Sequence, residues 1–146
     1  MLKPTIKQQG GTVRERYLAK LADDSFFGLW TYPNVYTDEG INKRKVGEEL
    51  SDLLVVFENN VIIFSDKDIG FNNDIDVNVS WKRWFKKSVI KSSQQLYGAE
   101  KWIKEKPHRI YLDNRCTQKF PLDLSGDINI YLVAVTCNTV QAAKNT

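Results

Sequence analysis

The chain alternates between short, dense apolar runs and longer segments whose apolar positions recur at helical spacing. Thr12 with Glu15 three residues on has the spacing of a capping box, and Val13, Tyr17, Leu18 and Leu21 follow at helical intervals. A helix is therefore predicted from residue 12 to about 22–25. Phe26, Phe27, Leu29 and Trp30 form a cluster too dense to be exposed. Tyr32-Pro33-Asn34 reads as a turn and Thr37 to Lys45 as a polar loop. Leu53 to Phe57 and Val61 to Phe64 are continuous apolar runs, the pattern of strands buried on both faces. Asn59-Asn60 between them suits a two-residue type I′ turn, so a β-hairpin is predicted. With Glu58 opposite Val61, Asp52 falls opposite Lys67 and Leu54 opposite Ser65. Asp52, Ser65 and Lys67 then share one face at the open end, and Asp66 points the other way unless the strand bulges or has ended.

Residues 68–80, rich in Asp and Asn, read as a loop, with Ser80 as the cap of the helix that follows. Trp81, Phe85, Val89, Ser92, Leu96, Ala99 and Ile103 make an amphipathic stripe that Pro107 stops. That stripe assigns Trp81 and Phe85 to the core and leaves Trp84 ambiguous. Arg109 to Leu112 and Ile128 to Thr136 read as further strands, and a last helix begins near Val140. Buried strands with helices between them argue for an α/β domain, a central mixed sheet with a buried hairpin flanked by helices. The length of 146 residues fits one domain over residues 12–146 behind a flexible arm at 1–11. The helix cut short after the last strand fits a piece of a longer protein.

Composition narrows the function classes. No apolar run approaches the about 20 residues a bilayer span needs, and the N-terminus shows no secretory signal, so a cytoplasmic protein without a membrane partner is expected. Cys116 and Cys137 lie in no CxxC pattern or Cys/His cluster, and His108 is the lone histidine. Disulfide frameworks, structural zinc and His-based triads are accordingly poor fits. The net charge is +3, but residues 81–106 carry eight lysines and arginines against Glu100 and Glu105. That leaves the segment at +6 and the remainder at −3. Such a stripe suits a phosphate backbone, and it also suits a solvated helix face.

Chemistry gathers at the hairpin mouth. Asp52 precedes one strand, Lys67 follows the other, Glu49 lies three residues before Asp52, and Asp66 and Asp68 flank the lysine. Carboxylates beside a lysine can hold a divalent cation through oxygen ligands, with the lysine orienting water or balancing charge near a phosphate. The plain alternative is an exposed Asp52–Lys67 ion pair of small worth.

The stretch GEELSDLLVVFENNVIIFSDKDIG resembles the PD-(D/E)XK superfamily of restriction-endonuclease-like and related nucleases. Glu49, Asp52 and Ser65-Asp66-Lys67 follow the order of its helix Glu, strand Asp and (D/E)-x-K, and Ser93-Gln94-Gln95-Leu96-Tyr97 is similar to its Q-x-x-x-Y-like helix motif. The resemblance implies an α-β-β-β-α-β core, of which one strand fewer is visible before the long helix. It implies a Mg2+-dependent nuclease (Mn2+ also serving) acting on DNA, RNA remaining open, and a homodimer as one assembly. Asp52, Glu49 and Asp66 would be the metal ligands, Lys67 would position the water, and Gln95 would contact the site or the phosphate. Lys82, Lys86 and Lys87 would hold the backbone. Ser65 departs from the acidic position of (D/E)-x-K. Either Asp66 reaches the metal through a bulge, or Glu49 or Asp68 takes the role, or the fold serves as a non-catalytic nucleic-acid- or protein-binding module.

Overall fold

The computed structural model describes residues 10–26 and 30–144. Helix α1 spans Val13–Phe26, strand β1 Thr31–Thr37, a single turn α2 Ile41–Arg44, β2 Glu48–Phe57 and β3 Asn60–Lys67. Helix α3 spans Val77–Phe85, a π-helical turn Lys86–Ile90 and α4 Lys91–Glu105, followed by β4 at Ile110–Tyr111, β5 at Asn129–Thr136 and α5 at Thr139–Lys144. Five strands form one mixed sheet in the order β4-β1-β2-β3-β5. β1, β2 and β3 are antiparallel neighbours, and β5 returns parallel to β3 after the long helix.

The buried hairpin forms as its apolar runs require, but its register differs from the expected one. Phe57 pairs with Asn60 and Leu53 with Phe64, so the turn is Glu58-Asn59 rather than Asn59-Asn60. Glu58 adopts φ 51°. This turn keeps Phe57 in the strand, where its ring meets Trp30 at 4.7 Å, and frees the Asn59 carbonyl to accept the Asn129 N–H at 2.8 Å. The slip is two residues, so every side chain keeps its face. Continued to the open end, the register sets Asp52 opposite Ser65 rather than Lys67.

β1 runs through the segment read as a turn and the start of the polar loop. Pro33 sits within it, and Asn34 takes φ 49° without breaking the pairing on either side. Tyr32 and Val35 supply core side chains, and burial outweighs the local turn chemistry. Gly47, just before β2, has a positional reason to be glycine: a Cβ there would lie 2.1 Å from the Thr37 carbonyl oxygen.

The sheet is covered on both faces. On one, Leu50, Leu54, Val56, Val61 and Ile63 pack with Leu96, Ala99 and Ile103 of α4. On the other, Leu53 and Val55 meet Ala22 and Leu18 of α1. The predicted face of α1 is corrected here: Ala19 and Ala22 are buried, while Val13, Tyr17 and Leu21 are exposed. Small residues let the helix lie close to the strands. Residues 27–29 of the predicted apolar cluster, like residues 1–9 of the arm, lie outside the described residues.

The long helix begins three residues before Ser80. Asp76 is its cap, accepting from the N–H groups of Asn78 and Val79, while Ser80 is buried and bonds the Asn72 carbonyl. The inward row is Ser80, Trp84, Ser88, Ser92, Leu96, Ala99 and Ile103. From Ser92 onward this is the predicted stripe. Before it the row shifts by one residue, because the π turn holds one residue more than an α turn. Trp84 is therefore in the core, against Phe71. Trp81 and Phe85 point outward, contrary to expectation. No helix among the described residues is long and apolar enough to cross a membrane.

Candidate active site

Asp52 lies near the start of β2 and is 8% exposed. Alternation from Leu54 and Val56 puts it on the α4 face. Its Oδ2 accepts the backbone N–H of Asp66 at 2.5 Å, tying the hairpin's two strands together beyond their last ladder pair.

Glu49 stands three residues earlier, a spacing that on a regular strand points to the opposite face. The register slips here: Val35 pairs with Ser51 but Tyr36 with Glu49, leaving Leu50 as an extra residue. This bulge brings Glu49 round to Asp52. Their carboxyl groups share a hydrogen bond, and desolvation, followed by the Asp52 charge, pushes Glu49 up to about 7. Glu49 is thus a β2 residue and not on a helix, where the family pattern has its Glu. Asn34 Nδ2 donates to Glu49 Oε1 and to Glu15 Oε2, both at 3.2 Å.

Glu15, on the first helix, was legible only as a capping residue. It does cap: its Oε2 accepts the N–H groups of Gly11 at 2.7 Å and Thr12 at 3.3 Å. Burial alone would raise its pKa, but these bonds and those from Asn34 and Thr12 outweigh it and hold the carboxyl below its usual range. Sequence reading missed its second role, joining α1 to Glu49 through Asn34. Only the fold brings positions 15, 34 and 49 together.

Across the strand, Ser65 is fully buried and its hydroxyl donates to Gln95 Oε1 at 3.3 Å. Gln95 thus reaches β3 from α4. It also lines an open groove of about 390 Å³ with Glu48, Glu49, Gln94 and Trp102. Lys67 shares the Ser65 face by alternation, and its ammonium forms no ion pair with a described residue. The exposed Asp52–Lys67 pair, the plain alternative, does not form.

Asp66 is placed elsewhere. It faces α1, where Arg14 grips it with Nη2 at 2.6 Å and Nε at 3.1 Å. Its side chain is 6% exposed. The strand does not bulge to turn it toward Asp52, so the three expected metal ligands are not assembled. Among the described residues no three acidic, histidine or cysteine side chains stand where they could hold a metal ion. Asp68 is tied to Cys137 Sγ at 2.9 Å and Asn138 Nδ2 at 3.2 Å, and does not replace it.

The remaining donor set is Asp52 and Glu49. Magnesium is commonly held by one or two carboxylates, with water and substrate phosphate completing its shell. Two carboxyl groups this close would fit such an ion, since a cation beside them would relieve the repulsion that raises Glu49. Lys82, Lys86 and Lys87 are exposed on α3 and the π turn and do not line the groove beside Glu49. Compared with known proteins, the chain matches no family model, no curated protein and no solved structure.

Proposed function

We propose that the protein is a divalent-metal-dependent phosphodiesterase acting on nucleic acid, built on a restriction-endonuclease-like core. The observation that carries this reading is the Glu49–Asp52 pair: a bulge in β2 turns two carboxyl groups together at a sheet end, against the electrostatic cost of doing so. Sites that keep such a cost are often functional. Chain order supports it as well. With β1 counted, and the single turn α2 and the two-residue edge strand β4 set aside, the elements run helix, three antiparallel strands, helix, then a strand parallel to the third. That supplies the strand the sequence pattern lacked.

In this reading Asp52 and Glu49 hold the magnesium ion. When bound, it lowers the pKa of a water and offsets charge on the phosphate. Asp52 is fixed by the Asp66 N–H, and Glu49 by Asn34. Lys67, free of an ion-pair partner among the described residues, stabilises phosphate charge or orients the attacking water. Gln95 and Ser65 form the wall across from the pair.

One observation favours a second reading, a non-catalytic binding module on the same fold. The acidic position of the motif is Ser65, bonded to Gln95, and Asp66 is neutralised by Arg14. Cleavage of linear, circular and single-stranded DNA, and of RNA, with Mg2+ or Mn2+ separates the two. The parent chain should cleave, and folded Asp52→Asn and Lys67→Ala should not. Absence of cleavage by the parent, with no magnesium binding by calorimetry, would select the binding module.

A further inference from the structure

The long helix presents an aromatic pair and a set of cations with no acidic counterpart. Trp81 and Phe85 are 37% and 41% exposed, with ring centroids 6.2 Å apart and planes 29° from parallel. Trp81 is also stacked on buried Trp84 at 5.4 Å, which fixes its ring from behind. Positions i and i+4 stand side by side on a helix. The next row holds Lys82 and Lys86 at the same spacing, with Arg83, Lys87 and Lys91 beyond, all exposed. No Asp or Glu occurs between Asp76 and Glu100, and none of these five cations forms an ion pair among the described residues. Two flat apolar rings beside a row of unpaired cations complement a polymer of alternating bases and phosphates. In a duplex the base faces are stacked away, so the match is to a single strand.

The surface also has the right place in the fold. Trp84 Nε1 bonds the Cys137 carbonyl at 3.3 Å, and Trp84 packs with Phe71 and Ile69. Those residues follow closely on β5 and β3, so α3 packs against the chain segments leaving the sheet end where Lys67 and Thr136 are paired. A strand on α3 therefore borders the end of the sheet that carries Asp52 and Ser65.

The geometry points to a single-stranded nucleic-acid binding site on α3, in which Trp81 and Phe85 stack on bases while Lys82 and Lys86 neutralise phosphates. It rests on the proposed function only for the class of polymer, and it names single strands as the preferred form.

The test is binding in EDTA, where metal-dependent cleavage cannot interfere. The full chain is titrated with a labelled 20-nucleotide oligothymidylate, a blunt duplex of equal length, heparin and polyglutamate. The oligothymidylate should bind more tightly than the duplex and quench tryptophan fluorescence. Trp81→Ala/Phe85→Ala should weaken oligothymidylate binding about tenfold or more and leave heparin binding unchanged. Lys82→Gln/Lys86→Gln should weaken both and reduce the salt slope by about 1.4. Should the double aromatic variant misfold, Phe85→Ala alone and the stacking-competent Trp81→Phe decide, the first weakening the oligothymidylate and the second retaining it. Unchanged oligothymidylate affinity in the folded aromatic variants, a preference for duplex, or tight binding to polyglutamate alone would each overturn the proposal, the last in favour of an acidic protein partner. Cleavage is read separately. A metal-dependent nuclease indifferent to Trp81 and Phe85 removes only this inference, and a single-strand binder that never cleaves removes only the hydrolytic reading.

Discussion

Asp66 and Glu49 lie on opposite sides of the sheet's open end and have had their charges treated in opposite ways. On the α1 side, a bidentate arginine meets Asp66, covers its carboxylate from solvent, and joins helix and strand. On the α4 side, Glu49 is pressed against a second carboxyl group, with the Asn34 amide and the Asp66 N–H donating to the pair but no cation forming an ion pair with it among the described residues. A compensated carboxylate serves the fold. A carboxyl pair that no cation balances is tolerated at the fold's expense, which gives it the stronger claim to chemistry.

Asp52→Asn tests that contrast most severely. It keeps an oxygen for the Asp66 N–H and removes the charge facing Glu49. Metal-dependent cleavage should fall by about 100-fold or more, while the urea midpoint stays level or rises. A loss of stability equal to the loss of activity would make the pair structural after all. Arg14→Ala should do the reverse. It strands a nearly buried carboxylate and should cost about 1–2 kcal/mol in urea unfolding, less than a fully buried pair because Arg14 is 37% exposed. Its cleavage rate per folded molecule should change little.

Glu49 sharpens the comparison through pH. Its folded pKa of about 7 lies above the ordinary 4.5. Between those values the native state holds a proton that the unfolded chain has released. The stabilisation from that proton is complete below pH 4.5 and is lost as pH rises through 7. Glu49→Gln should flatten the stability profile across this window. Carboxyl NMR of the parent should show a midpoint near 7 that drops on adding Mg2+, and a midpoint unmoved by Mg2+ would count against the pair as ligands. Smallest is Glu15→Gln, which weakens the cap of α1 and the charge held by Asn34. We expect about 0.5–1 kcal/mol in thermal or urea unfolding, with α1 the affected element.

Where tertiary packing agrees with local chemistry, the elements are legible in sequence. β3 reads directly from Val61-Ile62-Ile63-Phe64, and β5, expected at Ile128 to Thr136, spans Asn129–Thr136. β1 was hidden because Pro33 and Asn34 carry turn signals, and burial of Tyr32 and Val35 overrides them. The hairpin slip did no harm to the reading of faces because it is even. The helix slip did, because an odd insertion carries every earlier side chain to a new side. At the site, Asp52 could be found from the hairpin's spacing and Gln95 only through the family resemblance of its helix motif. Glu15 and Asn34 could not, since a capping box and a turn residue accounted for each locally, and Arg14 carried no local signal at all.

The π turn makes the sequence compatible with two helical phases. A strictly α-helical path from Ser92 backward would bury Phe85 and Trp81 and expel Trp84. The observed path buries Trp84 instead, so the outward aromatic pair depends on a single supernumerary residue between Lys86 and Ile90. For the gene, this makes one codon in that stretch dispensable in an unusual sense. A chain lacking Lys87 can run straight through as an α-helix with Trp84 still inside, and should melt no lower than its parent. The same loss one turn further on, within α4, would rotate Trp84 out of the core and lower the melting point.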